Sequence, residues 1–397
     1  MKIAIAVPGR FHAFDLALEL LTKDHEVIVL TNYPKWAAAR FGLPRHTVRS
    51  FWIHGILFRF HLFLHDKYRI PLARTIWQTM FGKWVARQLA KDTWDVVHIW
   101  TGVAEESLHA IRAQGCLRTI MRGSAHIRVQ AQILEEEAVR CRTAIQMPTT
   151  WQVEREEREY NACDIITVLS SFALTSFVSQ GIPRSKIWLI PPPIPTKQFV
   201  AAPQTIEQRC HRVLSGAPLR TLFVGTLSYQ KGLLDLATIV TTLDQSVSQC
   251  RLVGHVAPEA VPLLESLRNC AELIPQQPQS KLREIYDWAD IFIFPTIQDG
   301  YALVLAEAHT NGLPILATTS SGAPDIVKDG VNGWLFKPKD PNAFVDRILW
   351  CHRNRSTFAT MVRQIASSTE SYDHTSSADR FLDLALAEIA AKRTASG

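Results

Sequence analysis

Asp299 and Glu307 stand eight positions apart within residues 290–319, DIFIFPTIQDGYALVLAEAHTNGLPILATT. Asp299 falls in a polar loop ending at Gly300, and Glu307 in a run rich in Ala, Leu and Glu. Two carboxylates so placed can accept hydroxyl groups at two depths of one ligand, a sugar at the loop and a ribose further in. The backbone N–H groups at Gly300, Tyr301 and Ala302 suit a phosphate, because the first N–H groups of a helix have no partner within it. Leu303 is grouped with them as part of the same anion-facing turn. The aligned peptide dipoles add roughly 0.3–1 kcal/mol for an anion there.

The elements that must hold these groups are strand, loop, helix, turn and strand. Residues 291–294 form a continuous apolar run, as a strand buried on both faces does. Pro295 stops it. Residues 302–309 are good helix formers. Gly312 and Pro314 end that helix, and 315–317 start the next strand. Open α/β sheets bind ligands at the edge where strand gives way to helix. The first half of the chain shows the same alternation, with candidate strands at 2–7, 26–30, 47–52, 95–100, 118–122, 164–169 and 186–190. Candidate helices fall at 14–22, 102–114 and 127–141. This pattern predicts a parallel, doubly wound sheet.

The motif D-G-Y-A-L-V-L-A-E-A resembles the E-x7-E signature of retaining GT-B glycosyltransferases of family 4, with Asp299 in place of the usual first Glu. The continuation G-L-P-I-L-A-T and S-G-A-P-D-I-V-K-D-G-V-N-G-W-L-F matches the same family. The segment TLFVGTLSYQKG resembles its diphosphate-binding G-R-L-x-x-x-K-G element; Lys231 and Gly232 match, and Thr226 stands where Arg is usual. Residues 154–199 resemble the end of the family's first domain, with Ser170 and Ser171 at a strand end facing the cleft. The resemblance is strong from 219 to 344, moderate from 118 to 199 and faint from 47 to 91.

The resemblance implies an α/β GT-B fold, two Rossmann-like domains whose parallel sheets face a central cleft. It implies transfer of a sugar from a nucleotide-diphosphate donor, a UDP- or GDP-sugar, to a saccharide or lipid-linked acceptor. Lys231, Asp299 and His126, the last in the turn MRGSAHIRV, are then the catalytic candidates. Lys231 would neutralise the departing diphosphate, Asp299 would hold the donor sugar and Glu307 the ribose. Arg122, with Arg128 nearby, would support a phosphate or an acceptor anion. Thr226 lies in the diphosphate element, and Gly9, in the first turn PGRFHAF, lets a substrate approach the backbone. Side chains near Ile274 and Leu282 would pack on the base. No cofactor is implied. No D-x-D occurs, so fixed cations and dipoles are expected in place of a metal. The domains are expected at 1–190 and 219–375, with a stiff proline-rich linker at 191–218. A C-terminal helix within 376–397 is expected to cross back to the first domain.

With 397 residues, 47% hydrophobic and 20% charged, the chain reads as globular and too long for one core. No apolar run reaches eighteen residues, and the first one breaks at Pro8, too short for a signal peptide. Seven scattered cysteines without C-x-x-C fit a reduced cytoplasm. The net charge of +6 is uneven: residues 1–190 carry 24 Lys+Arg against 17 Asp+Glu. Residues 49–91 hold eight Lys/Arg, one acid (Asp66) and nine aromatics. Basic aromatic helices dock on anionic membranes, each cation contributing roughly 1 kcal/mol. The alternative is a helical insertion with packed aromatics and solvated cations. Nucleic acid is disfavoured, since no binding motif accompanies the patch. Of the other classes on the same two-domain plan, a nucleotide-sugar epimerase has no need of the basic aromatic insertion, and a phosphorylase would need pyridoxal phosphate, whose lysine no feature places. A non-catalytic sugar-nucleotide-binding scaffold is the stronger alternative, because Thr226 and Asp299 depart from the family pattern.

Overall fold

A computed structural model describes residues 1–68, 73–112, 115–193, 198–368 and 376–396. Two all-parallel sheets organise the chain. The first has the order β3-β2-β1-β4-β5-β6-β7, from β1 (Lys2–Val7), β2 (Glu26–Thr31), β3 (Val48–Ser50), β4 (Val96–Trp100), β5 (Leu117–Arg122), β6 (Ile165–Val168) and β7 (Ile187–Leu189). The second has the order β10-β9-β8-β11-β12-β13, from β8 (Leu219–Val224), β9 (Ser248–Gly254), β10 (Ala271–Pro275), β11 (Ile291–Phe294), β12 (Ile315–Thr318) and β13 (Gly333–Phe336). Strands β1, β4, β11 and β12 are apolar and buried nearly throughout, because helices cover both faces of each sheet. This is the GT-B plan the sequence predicts.

In both sheets the strand order reverses in the middle, between β1 and β4 in the first and between β8 and β11 in the second. A crevice opens where connections leave for opposite faces at such a point. The loops after β1, β5 and β6 of one domain meet those after β8 and β11 of the other, with His12, Gly123 and Leu169 facing Lys231 and Asp299.

The domains touch along this line. Ser170 Oγ donates to the Gly300 carbonyl at 2.5 Å, and Gln298 Nε2 to Ser124 Oγ at 2.6 Å. The Ser171 N–H donates to Asp325 at 2.8 Å, and Arg140 pairs with Asp235 at 2.6 Å. A Cβ on Gly300 would lie 2.0 Å from the Gly123 carbonyl oxygen. Only glycine allows the two loops to close this far.

Three local readings need correction. The expected strand at 47–52 ends at Ser50, and Trp52 opens a helix, Trp52–Tyr68. The expected helix at 102–114 is shorter, Glu105–Ala110, and residues 113 and 114 lie outside the described residues. The stretch 191–218 is not a stiff connector throughout. Residues 194–197 lie outside the described residues, and Pro203–Leu214 forms a helix on the second domain. Its apolar face packs inward, and its buried Arg209 donates to the carbonyls of Asn311, Gly312 and Tyr286. The C-terminal helix Ser377–Ser396 lies against the first domain. Phe381 packs on His98 and Trp188, and Glu19 accepts from the Ala378 N–H at 3.1 Å.

Candidate active site

The loop after β11 and the helix Leu303–Thr310 bring the central stretch to the crevice. Ala302 caps this helix with φ +66°, a left-handed backbone rarely adopted by a residue with a side chain. No side chain caps the helix, so its first N–H groups stay available. They border a cavity of about 290 Å³ lined by Lys231, Asp299, Tyr301, Ala302, Leu303 and Val304 from the second domain. His12, Gly123 and Leu169 close it from the first.

Lys231 sits in the short turn after β8, where Gly232 adopts φ +76° with its Cα against the Pro295 carbonyl. A Cβ there would lie 1.9 Å from that oxygen. The close contact aims Lys231 at the second loop, where its Nζ pairs with the Asp299 carboxylate. The other Asp299 oxygen accepts from the Tyr301 N–H at 3.2 Å. That amide is therefore engaged by Asp299, and the anion-facing edge begins at Ala302 and Leu303. Gly300, buried, serves the domain contact described above.

Glu307 lies one and a half turns into the same helix and reaches a second cavity of about 610 Å³. Leu303 and His12 line both cavities, which makes them two chambers of one crevice. The Tyr286 hydroxyl donates to Glu307 Oε2 at 2.7 Å. Burial raises the Glu307 pKa, and the Tyr286 hydrogen bond opposes that shift. Gln279 joins Glu307 on this wall, whereas Ile274 and Leu282 are half-buried against the core. Arg10, Phe11 and Asp15 face them from the first domain.

The first-domain candidates fare differently. His126 is buried, caps the helix Ile127–Cys141 through its Nδ1, and packs between Tyr160 and Phe177. Burial pushes its pKa down to about 4. It lines neither chamber, so the catalytic role expected of it is corrected: the imidazole is spent inside the domain. Arg122 is likewise committed, to Glu156 at 3.0 Å, Gln130 at 2.6 Å and the Ala125 carbonyl at 3.2 Å. Arg128 forms a surface pair with Glu157. Thr226 is exposed and lines neither chamber. Gly9 adopts φ +144° and turns the chain so that Arg10, Phe11 and His12 enter the crevice.

His12 is the residue the sequence reading passed over. It lies within the quoted turn PGRFHAF, at the switch point of the first sheet, and that position was the available signal. Its ring stacks obliquely on Trp100 with centroids 5.1 Å apart, and burial lowers its pKa to about 4. A neutral imidazole there can donate or accept one hydrogen bond. Phe11 beside it adopts φ +40°, a second strained residue across from Ala302.

Taken together, the crevice offers a cation, an uncapped helix tip and two carboxylates on one wall, with a neutral imidazole opposite. Among the described residues no group of three or more His, Cys, Asp or Glu is placed to hold a metal ion.

Comparison with known proteins gives a consistent picture. A family model described as Glycosyltransferase Family 4 matches residues 10–198, and one described as Glycosyl transferases group 1 matches residues 218–354. An amylovoran biosynthesis glycosyltransferase, AmsK of Erwinia amylovora, is 29% identical over 144 residues, covering 33% of this chain and 35% of that protein. A D-inositol 3-phosphate glycosyltransferase of Corynebacterium jeikeium is 29% identical over 178 residues, covering 41% and 42%. The chain thus spans less than half the length of these two relatives. The crystal structure of Anabaena Alr3699/HepE in complex with UDP superposes with a TM-score of 0.69 at 14% identity, over 98% of this chain and 100% of that one.

Proposed function

Since this chain belongs to glycosyltransferase family 4, we propose that it moves a hexose from a nucleotide-diphosphate sugar to a saccharide or lipid-linked acceptor, with retention at the anomeric carbon. The observation that carries the reading is the convergence of Lys231, Asp299 and the uncapped helix Leu303–Thr310 on one chamber, with Glu307 in the next. The spacing suits a diphosphate in the first chamber and a nucleoside in the second. Structures of Anabaena HepE hold UDP and UDP-glucose, which favours a uridine donor here.

The departing diphosphate gathers charge as the bond to the sugar lengthens. Lys231 and the N–H groups at the helix tip meet that charge where it develops, and closure of the domains around the donor would expel water. Lys231 starts paired with Asp299, so an arriving diphosphate competes for the ammonium and frees the carboxylate for sugar hydroxyls. Glu307 accepts hydroxyls of the ribose. A metal-independent course fits, since D-x-D is absent from the sequence and positive charge is built into the wall.

The basic insertion supports a peripheral membrane role. On the helix Trp52–Tyr68, Ile53, Ile56, Leu57, Phe60 and Phe63 are each about half exposed and follow helical spacing, with Arg59 and Lys67 among them. Such a face lies well on an anionic bilayer. No helix among the described residues is long and apolar enough to cross one.

The test is release of free nucleotide from UDP- and GDP-sugars, with and without lipid-extract acceptors. Tight nucleotide binding without turnover on any acceptor would favour the non-catalytic scaffold and sink the transferase reading.

A further inference from the structure

The walls of the two chambers are short of positive charge. Among the described residues that line them stand four carboxylates, Asp15, Glu19, Asp299 and Glu307, and two cations, Lys231 and Arg10. Lys231 already pairs with Asp299. A nucleoside diphosphate brings negative charge on both of its phosphates, and one ammonium, a compact point charge, does not meet both. The cations at the end of β5 are committed elsewhere, Arg122 to Glu156 and Arg128 to Glu157. Thr226 is exposed and lines neither chamber. Arg10 is the cation that remains.

Arg10 follows β1, in the turn that Gly9 bends into the crevice at φ +144°. Its side chain is 35% exposed, so a solute reaches it from the second chamber. Its ion-pair partner, Asp15, stands 3.6 Å from Nη2, beyond a hydrogen bond. Nε, on the inner side, has no hydrogen-bond partner. The guanidinium lies over the Phe41 ring, with its central carbon 4.0 Å from the centroid. Stacking on a ring face fixes the plane of the fork and leaves the N–H groups at its edge to point at an anion. An arginine with a structural task is pinned by short bonds, as Arg122 is by Glu156, Gln130 and the Ala125 carbonyl. Arg209 is held in the same way by Asn311 Oδ1 at 2.8 Å. Arg10 is instead stacked, loosely paired and open to the chamber.

Its place along the crevice points to one phosphate. The chambers meet at His12 and Leu303, which line both. With the diphosphate in the first chamber and the nucleoside in the second, the phosphate next to the ribose passes this junction. Arg10 stands beside it on the second-chamber wall, close to His12 in the same turn.

We propose that Arg10 is the second cation of the donor site and binds the phosphate attached to the ribose, while Lys231 serves the outer phosphate. The inference rests on the transferase reading for the donor and its orientation. It adds a hold from the first domain, so the diphosphate is gripped from both walls of the crevice. On binding, Arg10 exchanges a distant carboxylate for a phosphate that accepts parallel hydrogen bonds from its fork.

The test is a set of ligand-observed NMR titrations of the full chain with uridine, UMP and UDP, repeated with guanosine, GMP and GDP. A monophosphate carries only the ribose phosphate and so separates the two cations. Arg10→Gln is expected to weaken UMP and UDP alike by about tenfold, the loss of a charge-assisted hydrogen bond, and to leave uridine unchanged. Lys231→Ala weakens UDP and spares UMP. Arg10→Lys recovers part of the loss, since it restores the charge without the fork. Asp15→Asn tightens UMP by about threefold, because Arg10 no longer leaves a carboxylate; this variant carries the test if Arg10→Gln fails to fold. Equal UMP and UDP affinities in wild type, Arg10→Gln and Asp15→Asn overturn the proposal and keep the donor reading. A loss of UDP with UMP spared, or a loss of uridine as large as that of UMP, also overturns it, since Arg10 then serves the outer phosphate or the nucleoside wall. Nucleotides of both series that fail to bind the wild type remove the donor reading and this assignment with it.

Discussion

The two walls of the crevice are built from the same kind of element and do opposite things with their charges. On the second-domain wall, Lys231, Asp299 and Glu307 come from loops and a helix tip and open into connected chambers. On the first-domain side, the strand end after β5 offers Arg122, His126 and Arg128, and all three are turned to other uses. The difference lies in where the partners come from. Lys231 and Asp299 neutralise each other within the site, so a ligand can exchange for either. Arg122 and Arg128 are neutralised by Glu156 and Glu157 on a neighbouring helix, Thr150–Ala162, and nothing in the crevice competes for them. In the proposed reading, a charge at a strand end serves the ligand when its counter-charge belongs to the same opening.

The sharpest way to break this contrast is Arg122→Ala. The pair with Glu156 is largely buried, with side chains 12% and 9% exposed. Removing one member of a buried pair costs about 3–5 kcal/mol. The expected outcome is a Tm lower by roughly 10 °C, with UDP affinity of the folded fraction unchanged in calorimetry. Loss of UDP affinity with an unchanged Tm would move Arg122 to the ligand side. Lys231→Ala comes next and should do the reverse. Turnover of the donor is expected to fall about a hundredfold, which is ~2.7 kcal/mol in activation free energy, while Tm moves little. Steady-state nucleotide release measures it.

Glu307→Gln tests the inner chamber, with an expected rise of about tenfold in donor KM, ~1.4 kcal/mol. The pH profile adds detail. Burial raises the Glu307 pKa, so the carboxylate starts to protonate at a pH above the ordinary carboxylate range. The ionised form is the better acceptor of ribose hydroxyls, so donor affinity should fall as pH falls through that raised value. Tyr286→Phe removes the hydrogen bond that favours the ionised form. The acidic limb should then shift to higher pH in a KM–pH titration, and a limb that stays in place removes Glu307 from the binding step.

The asymmetry also explains what the sequence made legible. The strand at 291–294, its proline stop and the helix after it are encoded locally, by apolar runs and breakers that act on their immediate neighbours. The same holds for the Lys231–Gly232 turn, where a backbone contact with Pro295 admits only glycine. The helix of the C-terminus is legible from its apolar spacing. By contrast, the fate of His126 and Arg122 is decided by Ser176, Tyr160, Phe177 and Glu156, residues some thirty to fifty positions away. No local pattern announces those partners. His12 was hidden for the opposite reason: the turn that holds it reads as facing a substrate through Gly9, but a single histidine in a short turn carries no spacing to single it out, and the reversal of strand order between β1 and β4 is what sets that turn at the crevice. The helix Pro203–Leu214 was masked by the prolines around it, although a proline in the first turn of a helix is well tolerated.

The smallest effect is the most discriminating for the rule about counter-charges. Arg128 and Glu157 pair at the surface, with the Arg128 side chain 56% exposed. Exposed pairs contribute about 0.2–1 kcal/mol, and salt reduces that further. Arg128→Ala is therefore expected to lower Tm by no more than a few degrees, with the loss shrinking in high salt, and to leave nucleotide release within twofold of wild type. If proximity to a strand end were enough to recruit a cation, this substitution would instead cut turnover as Lys231→Ala does. A turnover gain in Glu157→Ala that disappears in the double variant would be more telling still, since freeing Arg128 from its partner would then have created a cation the crevice can use. Thermal unfolding and nucleotide release on the two single variants and the double variant separate these cases, because a merely structural pair couples in Tm and not in turnover.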